Sequence, residues 1–321
     1  MSIISLSTSK KDVKFTLRGL ENSSVKVNWG GGVVKDYTLN PLSCETVEHD
    51  YAAVSRLPRT ITITGAANVT ILGCPDNALT ALTLTDCTSL RHIGCYNNLL
   101  TSLDLRGCPA LEVLACTDNR LINLNVSGCH RLITLSCHTN RLTSLALKAK
   151  RTLTTVPQAT GTLATRLKPS EPTGGLRLPI EIDDIRTFRR DPDIRDLFPP
   201  REITPIPFPL DEPPNRERPL PSLSGEFPNM QYLYCHHNQL TELDVTGCIG
   251  LEKIWCNNNK LTSLTIAGLP NLEFVGCHHN LLREVNVDGC FSLEKMHCLS
   301  GQKNPFSITG LTQQNSAVLV Y

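Results

Sequence analysis

The sequence predicts a mainly β solenoid, in which the chain coils once every 21 residues and lays a parallel β-sheet along one side. Three observations predict this fold. Cysteines recur at that period, an asparagine stands three residues after most of them, and leucines fill fixed places around both. What we call the first cysteine column comprises eight residues, all but the last of which are followed three residues later by asparagine: Cys74, Cys95, Cys116, Cys137, Cys235, Cys256, Cys277 and Cys298. A second cysteine column runs at the same period through Cys87, Cys108, Cys129, Cys248, Leu269 and Cys290.

Each repeat contains two similar halves, as in LEVLACTDNRLINLNVSGCHR at positions 111–131. We expect Leu114 and Cys116 to point into the coil from one wall, and Leu124 and Cys129 to point in from the opposite wall. One repeat cannot bury such a surface alone, so stacked neighbours must build a continuous core. Asn119 is expected to bond the backbone of its turn through its side-chain amide.

The cysteines are expected to act as small apolar core residues. Neighbours within a column would lie about 4.8 Å apart, which is the spacing of adjacent strands. That distance permits a disulfide, but parallel in-register side chains rarely reach the torsion angle that a disulfide requires. Disulfide or metal binding therefore stays open as the less favoured alternative.

The repeat unit L-x-x-L-x-C-x-x-N-x-L-x-x-L-x-[LVI]-x-x-C-x-x resembles the leucine-rich repeat family, and within it the short bacterial class of 21 residues with a nested second half. The resemblance covers a first array at 67–163 and a second array at 229–300. It implies a parallel sheet on the concave side of the coil and a second run of short strands on the convex side. It also implies a binding role rather than catalysis.

The N-terminal residues 1–66 do not repeat and are predicted to form a small β-rich cap that covers the first apolar turn of the solenoid. KFTL, VKVNWGGGVVKDYTL and TITITG have the pattern of short strands, with a tight turn at Gly30–Gly32. NWGGG, HDY and TITITG resemble a PKD-like β-sandwich. Gly31 stands where that family usually has an acidic residue, which puts a ligand role for this turn in doubt.

The middle of the chain abandons the repeat. A degraded half-repeat at 153–163 is followed by a Pro-rich insertion at 164–228, and fifteen of the 21 prolines fall between Pro157 and Pro228. Proline removes a ladder hydrogen bond, so this segment cannot form regular strands, although Asp183 or Asp184 could begin a short helix. The insertion is either a loop extruded from one continuous solenoid or an arm that docks on a partner. Residues 301–321 are predicted to form a C-terminal cap.

Composition argues against several classes of protein. The net charge of +1 does not favour nucleic-acid or anionic-membrane binding, and no apolar run is long enough to span a membrane. The N-terminus lacks the pattern of a signal peptide, and fourteen cysteines without such a signal suggest reduced thiols in the cytoplasm. Inclusion in a virion or export by a route independent of Sec remains an alternative.

The outward-facing residues of the main strands differ between the two arrays. They are mostly small in the early repeats and large in the later ones, where Tyr and Trp are the expected anchors of an interface. The residues predicted to bind a partner are Tyr232, Tyr234, His236, His237, Lys253, Trp255, Asn257, Phe274, His278 and His279. A competing interpretation is that these aromatic residues receive the Pro-rich arm.

The sequence CHHN occurs at 235–238 and 277–280 and raises the question of a zinc site. Successive residues of a strand point to opposite faces, so one such tetrad cannot surround a tetrahedral ion. No metal, no cofactor and no catalytic residues are therefore predicted, and none of the familiar enzyme motifs is present.

The sequence thus predicts a non-enzymatic scaffold or binding module for another protein. One alternative is a structural subunit of a phage particle or secretion assembly that docks neighbours through the insertion. A further alternative is a secreted effector or a surface protein that binds glycans, although a glycan ligand is not favoured.

Overall fold

A computed structural model describes residues 1–145, 147, 227–301, 306–311 and 319–320, all of which belong to one compact unit. The regular secondary structure of the described residues consists of β-strands and one short 3-10 turn at Ala66–Asn68. The strands of the N-terminal part and first turn are β1 (Ile3–Thr8), β2 (Asp12–Gly19), β3 (Ser24–Gly30), β4 (Val33–Thr38), β5 (Glu45–Asp50), β6 (Arg59–Thr64), β7 (Val69–Gly73) and β8 (Leu79–Thr85).

The rest of the described chain alternates between two sets of short strands. The main set comprises β9 (His92–Gly94), β11 (Val113–Ala115), β13 (Thr134–Ser136), β14 (Tyr232–Tyr234), β16 (Lys253–Trp255), β18 (Phe274–Gly276), β20 (Lys295–His297) and β22 (Leu319–Val320). The second set comprises β10 (Ser102–Asp104), β12 (Asn123–Asn125), β15 (Glu242–Asp244), β17 (Ser263–Thr265), β19 (Glu284–Asn286) and β21 (Ser307–Thr309).

The main strands form one long sheet in the order β22-β20-β18-β16-β14-β13-β11-β9-β7-β2-β5. From β7 to β22 every neighbouring pair is parallel, and each pair is one turn of the coil apart; we call each such turn a rung. The second set forms two shorter parallel sheets, β10-β12 and β15-β17-β19-β21. The predicted solenoid, with a parallel main sheet and a second run of short strands, is therefore confirmed.

The core of the coil contains both cysteine columns and the repeating leucines. All thirteen cysteines that recur with the repeat are fully buried, and only Cys44, in the N-terminal part, is partly accessible. All fourteen cysteines of the chain lie among the described residues and are free thiols. Burial raises the pKa of Cys137 and of Cys256 to about 12, so these thiols stay protonated.

The asparagines join adjacent rungs. The Asn119 amide nitrogen donates to the carbonyl oxygens of Cys116 and Thr117 in its own turn, and to that of Cys95 in the preceding rung. Its side-chain oxygen accepts a hydrogen bond from the backbone N–H of Leu100 at 3.0 Å. The predicted bond to the turn is present, and the bonds to the preceding rung add a link that the sequence prediction lacked.

The solenoid continues across the insertion without a break in register. Ser136 pairs with Tyr234, and the Asn238 amide donates to the carbonyl oxygen of Cys137 just as Asn119 donates to that of Cys95. Cys137 and Cys235 are 98 residues apart, which is one 21-residue rung plus 77 extra residues. The half-repeat predicted at 153–163, the short helix near Asp183 and nearly all of the Pro-rich insertion lie outside the described residues.

Phe227 marks the point at which the repeat resumes. It precedes Cys248 by 21 residues, so it occupies the place in the second cysteine column where the uninterrupted repeat would put Lys150. Its side chain is buried, and its carbonyl accepts from the N–H of Met230 as the carbonyl of Cys108 accepts from Leu111. A buried apolar residue thus replaces a cysteine, and the core passes from one array to the next.

The N-terminal part shares its sheets with the first rung. Strand β2 pairs with β7 and extends the long sheet, while β1 pairs with β8 inside a five-stranded antiparallel sheet, β4-β3-β6-β1-β8. The buried Trp29 packs 5.5 Å from Phe15 and stacks on His49 at 5.0 Å, measured between ring centroids. These strands therefore share one hydrophobic core with the first rung; the resemblance to a PKD-like cap stays a prediction. The glycines of the β3–β4 turn all have positive φ, which permits the tight reversal.

Among the described residues, no helix is long and apolar enough to cross a membrane. The C-terminal cap is only partly described. Its last strand, β22, pairs in parallel with β20 and so extends the main sheet by one strand.

Candidate protein-binding surface

The outer face of the long sheet carries most of the residues predicted to bind a partner. In β14 the central Leu233 is buried, whereas Tyr232 and Tyr234 on either side of it are half-buried, because successive strand residues point to opposite faces. Strand β16 repeats the pattern with Lys253 and Trp255. In-register pairing therefore aligns these side chains in rows that run across the strands.

Three rings on this face form a continuous stack, which we call the aromatic strip: Tyr234, Trp255 and Phe274. The centroids of the Tyr234 and Trp255 rings lie 4.6 Å apart and their planes differ by only 10°. The Phe274 ring lies 4.9 Å from Trp255 with a tilt of 35°. The spacing follows from the strand spacing, because each ring rises from the next rung.

Gly276 makes room for the third ring. It occupies the place on its strand that Trp255 occupies on the preceding one. A Cβ atom at Gly276 would meet the Phe274 ring at 3.2 Å and the Trp255 ring at 3.4 Å. The ring of Phe274 therefore leans across the space above this glycine and reaches Trp255.

The earlier rungs present a much lower surface at the same places. The residues in register with Tyr234 on the preceding strands are small: Gly73, Gly94, Ala115 and Ser136. Val113 and Ala115 are nearly inaccessible, although they were expected to face outward with their neighbours. The outer face thus has a step between β13 and β14, where small side chains give way to Tyr232 and Tyr234.

Histidines extend the ring stacking at the carboxyl ends of the strands. His138 and His236 stack with centroids 4.2 Å apart, and so do His278 and His297. Burial, with His138 and His237 nearby, lowers the pKa of His236 to about 3. Burial, with His297 and His279 nearby, lowers the pKa of His278 to about 4. Both imidazoles are therefore neutral near pH 7.

The second histidine of each CHHN sequence occupies a different position. His237 and His279 have φ of 52°, in the left-handed region, as does the equivalent residue of the other rungs, for example Asn97 and Asp118. This corner of the turn holds both imidazoles exposed at the border of the sheet. Asn257, by contrast, is buried and exposes only 9% of its surface.

His138 was not among the residues that the sequence predicted for the site. It stands before the insertion and His236 stands after it, so 98 residues separate two rings that are in contact. The sequence does contain a signal for this pair. His138 directly follows Cys137 and His236 directly follows Cys235, so the two histidines occupy the same position of adjacent rungs once the 77 extra residues are subtracted.

Charged groups flank the aromatic rows. Lys253 and Lys295 lie on the strands on either side of Phe274 and in register with it. Glu252 stands one residue before β16 and accepts a hydrogen bond from the Tyr232 hydroxyl at 3.0 Å. In the described part of the chain, no group of three or more His, Cys, Asp or Glu side chains is placed to hold a metal ion.

Comparison with known proteins supports the repeat assignment. A family model described as leucine-rich repeats in two copies matches residues 228–268. No curated protein sequence matches the chain.

Three solved structures of bacterial proteins are similar to parts of the chain at low sequence identity. The functional domain of InlJ from Listeria monocytogenes, whose description mentions a cysteine ladder, is 22% identical; the match covers 80% of this chain and 39% of that one, with a TM-score of 0.48. YopM from Yersinia enterocolitica is 14% identical over 78% of this chain and 46% of its own, with a TM-score of 0.36. A leucine-rich repeat protein from Leptospira interrogans is 15% identical over 73% of this chain and 49% of its own, with a TM-score of 0.35.

This chain therefore spans less than half the length of each of these three structures. The family match covers four strands of the solenoid, and the in-register pairing of the main sheet continues on both sides of them. Residues 228–268 of this chain are therefore leucine-rich repeats, set within a mainly β solenoid.

Proposed function

We propose that this chain is a non-enzymatic module that binds a partner protein on the outer face of its long sheet, at the aromatic strip and the histidines beside it. Leucine-rich repeats generally serve as protein-binding scaffolds, which supports the general role. The observation that carries the specific proposal is the stack of Tyr234, Trp255 and Phe274, which stays partly accessible on an otherwise low surface.

Aromatic side chains support such a role because they combine a large contact area with little loss of conformational freedom on binding. The stack also fixes the three rings in advance, so a partner would not have to order them. Such preorganised anchors commonly contribute most of the binding energy of an interface.

The proposal is tested by comparing the intact chain with Trp255→Ala plus Tyr234→Ala in a quantitative pull-down from an extract of the source cells. We expect the double variant to lose most of its specifically retained protein. The matched control is Thr262→Ala plus Ser263→Ala, at the second set of strands, which should retain as much as the intact chain. Equal recovery by all three proteins would place the binding surface elsewhere.

We further propose that the Pro-rich insertion is a second binding element. The solenoid on either side of it is continuous, so these residues are not needed to complete a rung. Long segments between regular elements are usually functional or disordered. Deletion of residues 150–226 should then remove some retained proteins while those that depend on Trp255 persist. An unchanged set of retained proteins would show that the insertion does not contribute.

A further inference from the structure

The orientation of the rings narrows the chemistry of the occupant. Trp255 has a ring on each side, at 4.6 Å and 4.9 Å, so its faces are covered and its edge is directed outward. Ring edges carry the positive end of the aromatic quadrupole. A nucleobase or a cation requires an open ring face. Trp255 is therefore better matched to a ligand that is rich in oxygen acceptors.

Two lysines provide positive charge among the same rows. Lys253 and Lys295 stand on either side of Phe274, one rung away from it in each direction. Within the described residues, neither ammonium group forms an ion pair with a carboxylate. An anionic partner would therefore not have to displace an existing salt bridge in order to reach them.

Three carboxylates stand one residue before the strands that carry these rows: Glu252, Glu273 and Glu294. Glu252 is already engaged by the Tyr232 hydroxyl. These glutamates are the groups that a basic partner would use. The alternative ligand is therefore a basic peptide, and the experiment must compare it with an acidic one.

We propose that the aromatic strip, together with Lys253 and Lys295, binds an extended acidic segment of the partner protein. This inference rests on the proposed function and specifies the partner's chemistry. The two lysines are two rungs apart, which is about 9.6 Å at a strand spacing of about 4.8 Å. A segment in the polyproline II conformation has three residues per turn and rises about 3.1 Å per residue, so positions i and i+3 lie on one face about 9.3 Å apart. Carboxylates at positions i and i+3 can therefore reach both lysines while the backbone crosses Phe274.

The experiment uses the fluorescence of Trp255 in the full chain. The chain has two tryptophans, and Trp29 is fully buried, so a change on ligand addition reports on Trp255. The probes are three capped nine-residue peptides of Ser and Gly with Asp, Asn or Lys at every third position, and a poly-dT oligonucleotide. We expect saturable quenching by the Asp peptide alone, weakened at least several-fold by raising salt from about 50 to 500 mM.

Variants assign the effect to the lysines. Lys253→Gln plus Lys295→Gln should abolish the quenching, whereas Lys26→Gln plus Lys35→Gln, which removes the same charge from the N-terminal part, should leave it unchanged. In both variants the buried cysteines should resist a thiol-specific reagent as they do in the intact chain, which shows that the variants fold.

Several results would overturn the inference. They are stronger quenching by the Lys peptide, equal quenching by the Asn peptide, binding of the oligonucleotide alone, or no saturable change up to about 10 mM peptide. If the Trp255 variant loses partner protein in the pull-down while the Asp peptide fails to bind, the binding surface stands and only the acidic character of its partner is refuted.

Discussion

At the scale of single residues, the repeating asparagine links adjacent rungs. Its side chain satisfies backbone groups of its own turn and of the preceding rung, as Asn119 does with Cys95 and Leu100. These backbone groups are buried, and a buried donor or acceptor without a partner is costly. The asparagine is therefore required by the geometry of the turn rather than by any ligand.

Replacing Asn119 by alanine should lower the free energy of unfolding by about 3 kcal/mol, because several buried backbone groups lose their partners together. Denaturant unfolding monitored by circular dichroism measures the loss. The control is Asn123→Ala, an exposed strand residue, for which the change should stay within about 0.5 kcal/mol. Similar losses for the two variants would mean that the asparagine bonds contribute little to stability.

The cysteines show what a residue pattern can and cannot predict. Their period predicted burial correctly, because packing inside the coil restricts the same position to a small apolar residue in rung after rung. The residue that joins the two arrays, Phe227, was not predicted. It interrupts the second cysteine column with a larger side chain, and the insertion hides its distance from Cys129. The packing requirement at that position is for a buried apolar group, which several residue types satisfy.

At the scale of strands, the histidine stacks tie β13 to β14 and β18 to β20. The repeat aligns His138 with His236 once the 77 extra residues are subtracted, but the stacking itself could not be read from the sequence, because it also depends on how far each ring is shielded from solvent. The alternation along β14 and β16, in contrast, was enough to place Tyr234 and Trp255 on the outer face. The alternation did not predict that the Phe274 ring tilts across Gly276, because this tilt depends on the space that the missing glycine side chain leaves free.

The buried imidazole of His236 predicts a specific dependence of stability on pH. Its pKa falls from the usual 6.5 to about 3 in the folded chain, so below pH 6.5 the unfolded chain binds a proton that the folded chain does not. The free energy of unfolding should therefore decrease as pH falls from 6.5 toward 3, by at most about 1.4 kcal/mol per pH unit from this group.

His236→Asn, which copies the residue of the next rung, should make this pH dependence shallower. Urea unfolding at intervals between pH 7 and pH 4 gives the slopes. His130→Asn changes an exposed histidine that does not contribute to the pKa shift of His236, and should leave the slope close to that of the intact chain. A slope that is the same in all three proteins would contradict the shielding of His236.

At the scale of the whole molecule, the solenoid is a single stack interrupted by extra chain. If rungs on both sides of the insertion are adjacent, removing residues 150–226 restores the 21-residue distance between Cys137 and Cys235 and joins Ala149 directly to Phe227. The deletion should fold and should be as stable as the intact chain or more stable, since a long closed loop costs conformational entropy.

Thermal unfolding tests this prediction, and a deletion of 150–216, which is ten residues shorter, provides the control. The shorter deletion leaves ten extra residues as a loop and should also fold. Removal of 150–236 instead deletes the main strand of a rung together with Cys235 and His236, so it should be clearly less stable. If the deletion of 150–226 alone fails to fold, the two arrays are not joined as described.

The central claim is that every turn of the repeat wraps once around a core that encloses both cysteine columns. Counting reactive thiols tests it most directly, because the columns account for thirteen of the fourteen cysteines and Cys44 alone is accessible. A thiol-specific reagent at pH 8 should modify one cysteine per folded chain, none after Cys44→Ser, and all fourteen after denaturation of the intact chain. Rapid modification of many thiols in the folded chain, or fewer than fourteen after denaturation without a reductant, would contradict a core of buried free thiols.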